Sequence, residues 1–246
     1  MKLPALQNFN GRIHLVLALL FSVSITPASA TLLFSDNFDA GASSAWGNER
    51  GQWRDTDGVY DATYPATGSG ATYSGVTTLT SLTDFSVEVD VNALDDGGVW
   101  LRSDYNGGNI NGILLLTGGF SGTANSLYWH VVQNGVISGA INQVYQSGLQ
   151  DSNAHIRIDV SGNTYQAFLN GSATPLTTLV NASFSSGSVG LYDFSPVSGA
   201  SSPRGQTFDN FQVFDDSVAT PEPATIALLG LGLAGLGFAR FNINRQ

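Results

Sequence analysis

From residue 31 to residue 216 the chain alternates apolar and polar positions in short runs broken by Gly, Asn, Asp and Ser. Phe85-Ser86-Val87-Glu88-Val89-Asp90-Val91-Asn92 sets Phe and Val on one side and polar residues on the other, the period of a half-buried strand. His155-Ile156-Arg157-Ile158-Asp159-Val160 repeats the scheme, and Ser161-Gly162-Asn163 turns it into Thr164-Tyr165-Gln166-Ala167-Phe168-Leu169, a hairpin closed by Asn170-Gly171. Further strands are predicted at Thr31–Phe34, Gly98–Arg102, Gly112–Thr117, Leu127–Val132, Ser188–Tyr192 and Phe208–Phe214, with loops near 66–75 and 183–188. No segment of this region has helical periodicity. The pattern predicts one all-β domain over 31–216, an antiparallel β-sandwich or jelly roll.

The two ends read differently. Lys2 and Arg12 precede the apolar stretch Ile13–Val23, and Ala28-Ser29-Ala30 places small residues at the −3 and −1 positions of a signal-peptidase site. Residues 1–30 are therefore expected to be a signal peptide, cut between Ala30 and Thr31. Residues 217–223 form a linker ending in Pro221-Glu222-Pro223, and 224–246 hold a single apolar helix, Ala224 to Ala239, with Arg240 and Arg245 behind it. At about 24 Å this helix is short for a ~30 Å hydrocarbon core. It suits transient retention in the inner membrane with its positive end inside. The tripeptide, the run Ile226-Ala227-Leu228-Leu229-Gly230-Leu231-Gly232-Leu233-Ala234-Gly235-Leu236 and the basic end resemble the PEP-CTERM sorting signal of Gram-negative bacteria. That resemblance implies recognition by an exosortase and delivery to the envelope, the outer surface or an exopolysaccharide-rich biofilm matrix. The basic cluster usual in that signal is here reduced to two arginines.

Charge narrows the partners. Between Thr31 and Pro223 stand all 19 carboxylates of the chain but only Arg50, Arg54, Arg102, Arg157 and Arg204, a net −14 with no lysine. Phosphate backbones require clustered Lys and Arg, so nucleic acid is excluded as a partner. The chain has no Cys, which removes disulfides, thiolate nucleophiles and cysteine metal sites.

The order of the strand motifs resembles the concanavalin A-like lectin/glucanase superfamily in its laminin-G-like and jelly-roll branches. The matching pieces are Phe34-Ser35-Asp36-Asn37-Phe38-Asp39 with Trp46 and Trp53, Asp84–Val91, Gly97-Gly98-Val99-Trp100-Leu101-Arg102, Ile156–Val160, Phe168-Leu169-Asn170-Gly171, Gly187–Tyr192 and Phe208–Val213. The resemblance implies first and last strands side by side, with Phe38 near Phe211. It also implies glycan binding, or in some relatives glycan hydrolysis, and a structural calcium ion held by Asp209 with Asp36 or Asp39. The loop Asp95-Asp96-Gly97-Gly98 is a second calcium candidate, against ordinary Asx-turn chemistry.

Retaining glycosidases need two carboxyl groups about 5–5.5 Å apart. In family-16 glucanases these sit in Glu-x-Asp-x-Glu on one strand. Here the strand reads Glu88-Val89-Asp90-Val91-Asn92, and Asn92 cannot supply the acid. His130 and His155 are the only histidines of the domain, and no serine lies in a Gly-x-Ser-x-Gly elbow. The reading leans away from an enzyme. Sugar rings pack on aromatic faces while planar polar groups take their hydroxyls, and Trp100, Arg102, Asp104, Tyr105, Asn106, Tyr128 and Trp129 are the expected glycan-binding set. Parity puts Trp100 and Arg102 on one strand face, opposite Val99 and Leu101. The expected function is non-catalytic polysaccharide binding, with neutral glycans favoured by the net charge. An atypical hydrolase or lyase and a self-associating matrix protein stay open beside it.

Overall fold

The alternating runs build two antiparallel sheets. Sheet A takes β1 (Thr31–Asp36), β3 (Gln52–Thr56), β4 (Val59–Tyr64), β6 (Phe85–Asn92), β12 (Ala154–Ser161), β13 (Thr164–Leu169), β14 (Thr177–Val180) and β16 (Thr207–Asp215). Sheet B takes β2 (Trp46–Arg50), β5 (Tyr73–Val76), β7 (Gly97–Asp104), β8 (Asn111–Leu116), β9 (Ser126–Gln133), β10 (Val136–Ile137), β11 (Ile141–Tyr145) and β15 (Ser188–Asp193). This is a computed structural model, and it describes residues 30–64, 71–105, 107–118, 123–194 and 206–216. All of them belong to one unit, Ser29–Ala219, which contains every described strand and its own core and so can fold without the two ends. Among the described residues there is no helix, and none long and apolar enough to cross a membrane. The predicted cleavage residue Ala28, the Pro221-Glu222-Pro223 linker, the apolar tail and Asn106 lie outside the described residues.

Sheet A runs β14-β13-β12-β6-β16-β4-β3, with β1 also on β16, and sheet B runs β10-β9-β8-β7-β15-β5-β2, with β11 also on β9. The β12–β13 hairpin closes as predicted: Ser161 pairs with Thr164 across a turn in which Gly162 has φ +53°. Asn170 and Gly171 both take positive φ, the signature of a type I′ turn. The first and last strands do pair, Thr31 opposite Asp215 and Asp36 opposite Phe211. Phe38 and Phe211 both pack on the Trp46 ring, at 5.8 and 5.0 Å, with Phe34 6.2 Å from Phe211 and Phe38 stacked on Tyr60 at 5.1 Å. The region around residues 46–76, read partly as loop, supplies the strands β2 to β5, so Tyr73–Val76 is strand rather than loop.

The core lies between the sheets. Val87, Val89, Val91, Ile156 and Ile158 of sheet A face Val99, Leu101, Ile113, Leu115, Leu127 and Trp129 of sheet B. Each buried aliphatic or aromatic side chain contributes about 1.5–3 kcal/mol of transfer free energy. The outer face of sheet A is polar, as the alternation predicts: Glu88, Asp90, His155, Arg157 and Asp159 point away from the core. The outer face of sheet B is different. It carries a second apolar cluster containing Tyr73, Trp100, Leu114, Leu116, Tyr128 and Tyr192.

Parity fails at one place in β7. Trp100 lies on the outer face, but Arg102 has φ +44° within an irregularity of the β7–β8 ladder and turns into the space between the sheets. There its guanidinium donates to Thr83 O at 3.1 and 2.6 Å, to Phe184 O at 2.9 Å and to the Tyr165 hydroxyl at 3.2 Å. The shared face expected for Trp100 and Arg102 does not exist, because an extra residue in the ladder resets the side-chain alternation.

Candidate functional site on the outer face of sheet B

Two glycines make room for the aromatic floor of sheet B. A Cβ on Gly75 would come within 2.6 Å of the Tyr73 ring, so that ring lies over the strand where a side chain would stand. Gly190 sits opposite Trp100 in register and again offers no side chain. Trp100 then packs against Tyr73 at 6.0 Å and edge-on against Tyr192 at 6.4 Å, geometries favoured by ring quadrupoles. Polar tips are satisfied internally: Trp100 Nε1 donates to Thr72 O at 3.1 Å, and the Tyr73 hydroxyl pairs with Ser103 Oγ at 3.0 Å.

This packing changes the role of most residues expected to touch sugar. Trp100 and Trp129 are both 0% exposed, and Tyr128 is also buried. Trp129 points into the main core, where its Nε1 donates to Thr177 Oγ1 at 3.1 Å. A ring without solvent-facing area cannot receive a sugar face, so these are floor and core rather than stacking platforms. Arg102, 2% exposed and facing the core, is likewise not a surface ligand. Of the expected set, Asp104 is exposed and Tyr105 half-buried, its ring 5.4 Å from Tyr73. His130 and Asn109, which the sequence reading did not place in the set, border the same cluster. His130 sits edge-on to Tyr128 at 5.2 Å, and Asn109 precedes the buried Ile110. The parity of β9, with Tyr128, His130 and Val132 on one face, was the available signal.

Asp96 completes the floor at the start of β7. Burial and the neighbouring Asp95 charge push its carboxyl up to about 7, only partly offset by the Tyr192 hydroxyl beside it. Its Oδ1 is buried without a hydrogen-bond partner. The folded protein thus holds this proton up to about pH 7, whereas an unfolded chain releases it near the ordinary carboxyl value of 3.8. Stability from this group is full below the unfolded value and is lost as pH rises through the folded one. Asp96→Asn is therefore expected to gain stability relative to wild type between pH 4.5 and 8, on the order of 3 kcal/mol across the window, in urea unfolding at stepped pH. An unchanged difference across that window would place the proton elsewhere.

The residues expected to hold calcium are structurally engaged. Asp36 accepts from Phe38 N, Ser43 N and Trp46 Nε1 at 3.0, 2.7 and 2.9 Å, so both its oxygens organise the turn after β1. Asp39 accepts from Asn37 Nδ2 at 2.7 Å, and Asp209 Oδ1 from Asn210 N at 2.7 Å. Asp36, Asp39 and Asp90 lie close enough to Asp209 to reinforce the upward shift that burial gives its carboxyl. Among the described residues no three His, Cys, Asp or Glu side chains converge as metal ligands. The carboxylates of the incomplete glucanase pattern lie on sheet A instead. His155 Nδ1 stands 2.8 Å from Asp90 and its Nε2 3.7 Å from Glu88, and Asn210 Nδ2 donates to the other Asp90 oxygen at 2.9 Å.

Comparison with known proteins fits both halves of this picture. Residues 219–240 match the PEP-CTERM protein-sorting motif, which implies export and surface sorting in Gram-negative bacteria. No curated protein matches the sequence. Among solved structures, the sandwich is similar to the VIP36 exoplasmic/lumenal domain in a Ca2+/Man3GlcNAc-bound form, with TM-score 0.55 and 10% identity, covering 78% of this chain and 93% of that one. It is also similar to a galectin-like protein of unknown function from Bacillus subtilis, with TM-score 0.54, 9% identity and coverages of 75% and 96%. Bacillus licheniformis beta-glucanase follows, with TM-score 0.51, 12% identity and coverages of 77% and 100%. At these identities the similarity is one of fold. The chain thus joins a PEP-CTERM sorting motif to an antiparallel β-sandwich similar in fold to the VIP36 lumenal domain, a galectin-like protein and a beta-glucanase.

Proposed function

We propose that this is an exported, non-catalytic glycan-binding domain whose site borders the aromatic cluster on the outer face of sheet B. The observation that carries the reading is that cluster. A two-layer sandwich needs one core, and an antiparallel sheet can leave its other face to water. Here the second face is apolar and aromatic, with Asp104, Tyr105, Asn109 and His130 along its border. In the proposed mode the buried rings hold Tyr105 in place. The Tyr105 ring packs on the C–H face of a sugar, while Asp104, Asn109 and His130 take hydroxyls. The net −14 favours a neutral polymer over an acidic one. Engagement of Glu88 and Asp90 with His155 and Asn210 on the opposite sheet supports the non-catalytic reading.

Export by the signal peptide, transient inner-membrane retention and exosortase processing complete the proposal. The mature domain then sits at the cell surface or in the matrix, against the cell's own exopolysaccharide. Calorimetric titration of residues 31–219 with that polymer, with and without calcium, is expected to give saturable heat and no release of reducing ends. Tyr105→Ala should weaken binding at least about tenfold, a loss of about 1.4 kcal/mol. Absence of heat in both buffers would rule out this reading for that polymer, and a requirement for calcium would show that the domain holds an ion.

A further inference from the structure

Ionic charge is segregated across this fold. No Asp, Glu, Lys or Arg occurs between Asp104 and Asp151, or between Asp159 and Asp193. The first stretch contains β8, β9, β10 and β11, and the second contains β13, β14 and most of β15. In the sheets, β8 to β11 form one end of sheet B and β13 and β14 one end of sheet A. These two ends lie on the same flank. Asn142 of β11 donates through Nδ2 to Thr178 O of β14 at 2.7 Å, and Thr177 Oγ1 donates to Asn142 O at 2.7 Å. His130 is the one imidazole on these strands, and burial lowers its pKa below 6.5, so it too is neutral at pH 7. The carboxylates and arginines of the domain are left to the other strands.

The same flank bears four of the six large apolar side chains that the described residues expose: Val136 at 71%, Ile137 at 42%, Tyr145 at 66% and Val180 at 71%. Three of them lie on β10 and β11, which end sheet B, and the fourth on β14, which ends sheet A. Natural sheets guard such edges with charged residues or proline, because an unguarded edge pairs with other chains. Here the guard is missing on one flank only.

We propose that this uncharged flank, centred on Val136, Ile137, Tyr145 and Val180, is where a second copy of the domain docks. Electrostatics selects that occupant. Two copies of the domain, each with 18 carboxylates and five arginines for a net −13 over residues 31–219, repel through their acidic faces, and only the neutral flank lets them meet with the carboxylates held apart. A patch meeting its own copy about a two-fold axis buries these side chains twice over. This reading rests on the proposed glycan site: the flank adjoins the Asn109 and His130 end of that border, where Gly135 approaches Asn109 and His130 meets Gly139 O, but not Tyr105, so a dimer carries two Tyr105 rings and can cross-link the polymer it holds.

Sedimentation equilibrium on residues 31–219 tests this. Average mass is expected to rise with concentration between ~10 μM and ~1 mM, the range of weak contacts. Association should strengthen at least about threefold from ~0.05 to ~0.5 M salt, because salt screens the mutual repulsion. Val136→Glu and Val180→Glu should each weaken it about tenfold or more. Both sites are exposed, so circular dichroism should stay unchanged. Leu32→Glu, an exposed apolar site on β1, should have no effect. A monomer at every concentration would overturn the proposal, as would unchanged association in the Glu variants or association that weakens with salt. Loss of glycan heat in those variants, with self-association unaffected, would reassign the flank to the polymer and overturn it equally.

Discussion

Arg102→Met is expected to lower unfolding stability by about 4 kcal/mol, read as a shift of the urea midpoint at unchanged slope. The guanidinium is 2% exposed and serves four acceptor contacts on three segments: Thr83 O twice, Phe184 O and the Tyr165 hydroxyl. It also lies 5.3 Å from the centre of the Tyr165 ring and 3.8 Å from Asp84. Hydrogen bonds to a charged donor contribute about 1.5–3 kcal/mol each, and a buried carbonyl stripped of its donor costs about 1–3 kcal/mol. Methionine fills the stem but strips Thr83 O of both its bonds from the guanidinium and leaves Phe184 O with only the long 3.5 Å bond from the Tyr165 hydroxyl. Lysine retains the charge but not the planar fork, so Arg102→Lys should lose roughly half as much. A midpoint unchanged in Arg102→Met would mean that water enters from the Asp84 side and replaces the guanidinium.

Trp100→Ala should cost about 3–5 kcal/mol, the range for removing a large aromatic from a packed site. The ring fills the centre of the outer cluster between Tyr73 and Tyr192, and truncation also leaves Thr72 O without its donor. A solvent-facing stacking residue would behave in the opposite way, losing glycan affinity with stability unchanged within about 0.5 kcal/mol. Measuring both quantities separates the roles. Destabilised Trp100→Ala beside stable but weakly binding Tyr105→Ala would show that the floor and the binding ring are different residues. Equal stability of Trp100→Ala and wild type would reopen the ring as a ligand contact.

The middle of sheet A, β6, β12 and β13, was legible because it has one wet face. In β6 and β12 every second residue is polar, so the strands stand out, and Phe85–Asn92 begins and ends where the alternation does. Sheet B has no such contrast. In β8, Gly112 through Leu116 are all buried, and an apolar run reports a strand without reporting which face is which. Two-fold parity still placed Trp100 opposite Val99 and Leu101 correctly, but could not see the positive φ at Arg102 that turns the next side chain inward. The border residues suffered similarly. Parity sets His130 beside Tyr128 on β9, but that this face borders the Trp100 cluster follows only from the β7–β8–β9 pairing, which no local pattern contains. Short strands such as β10 and β14, at two and four residues, offer too few positions for any period to emerge.

The place of β16 in sheet A sets an order of events for biogenesis. The last strand of the domain sits in the interior of its sheet, bonded to β6, β4 and β1, and among the described residues β1 has no other partner strand. The first strand to emerge must therefore wait for the last, and the sandwich cannot close while Thr207–Asp215 is still being synthesised or translocated. Such end-to-end contacts make for slow, late-committing folding. The sorting motif begins at residue 219, four positions after β16 ends. Final strand and sorting motif thus leave the ribosome almost together, so a chain that carries the motif is one that has just become able to close its fold.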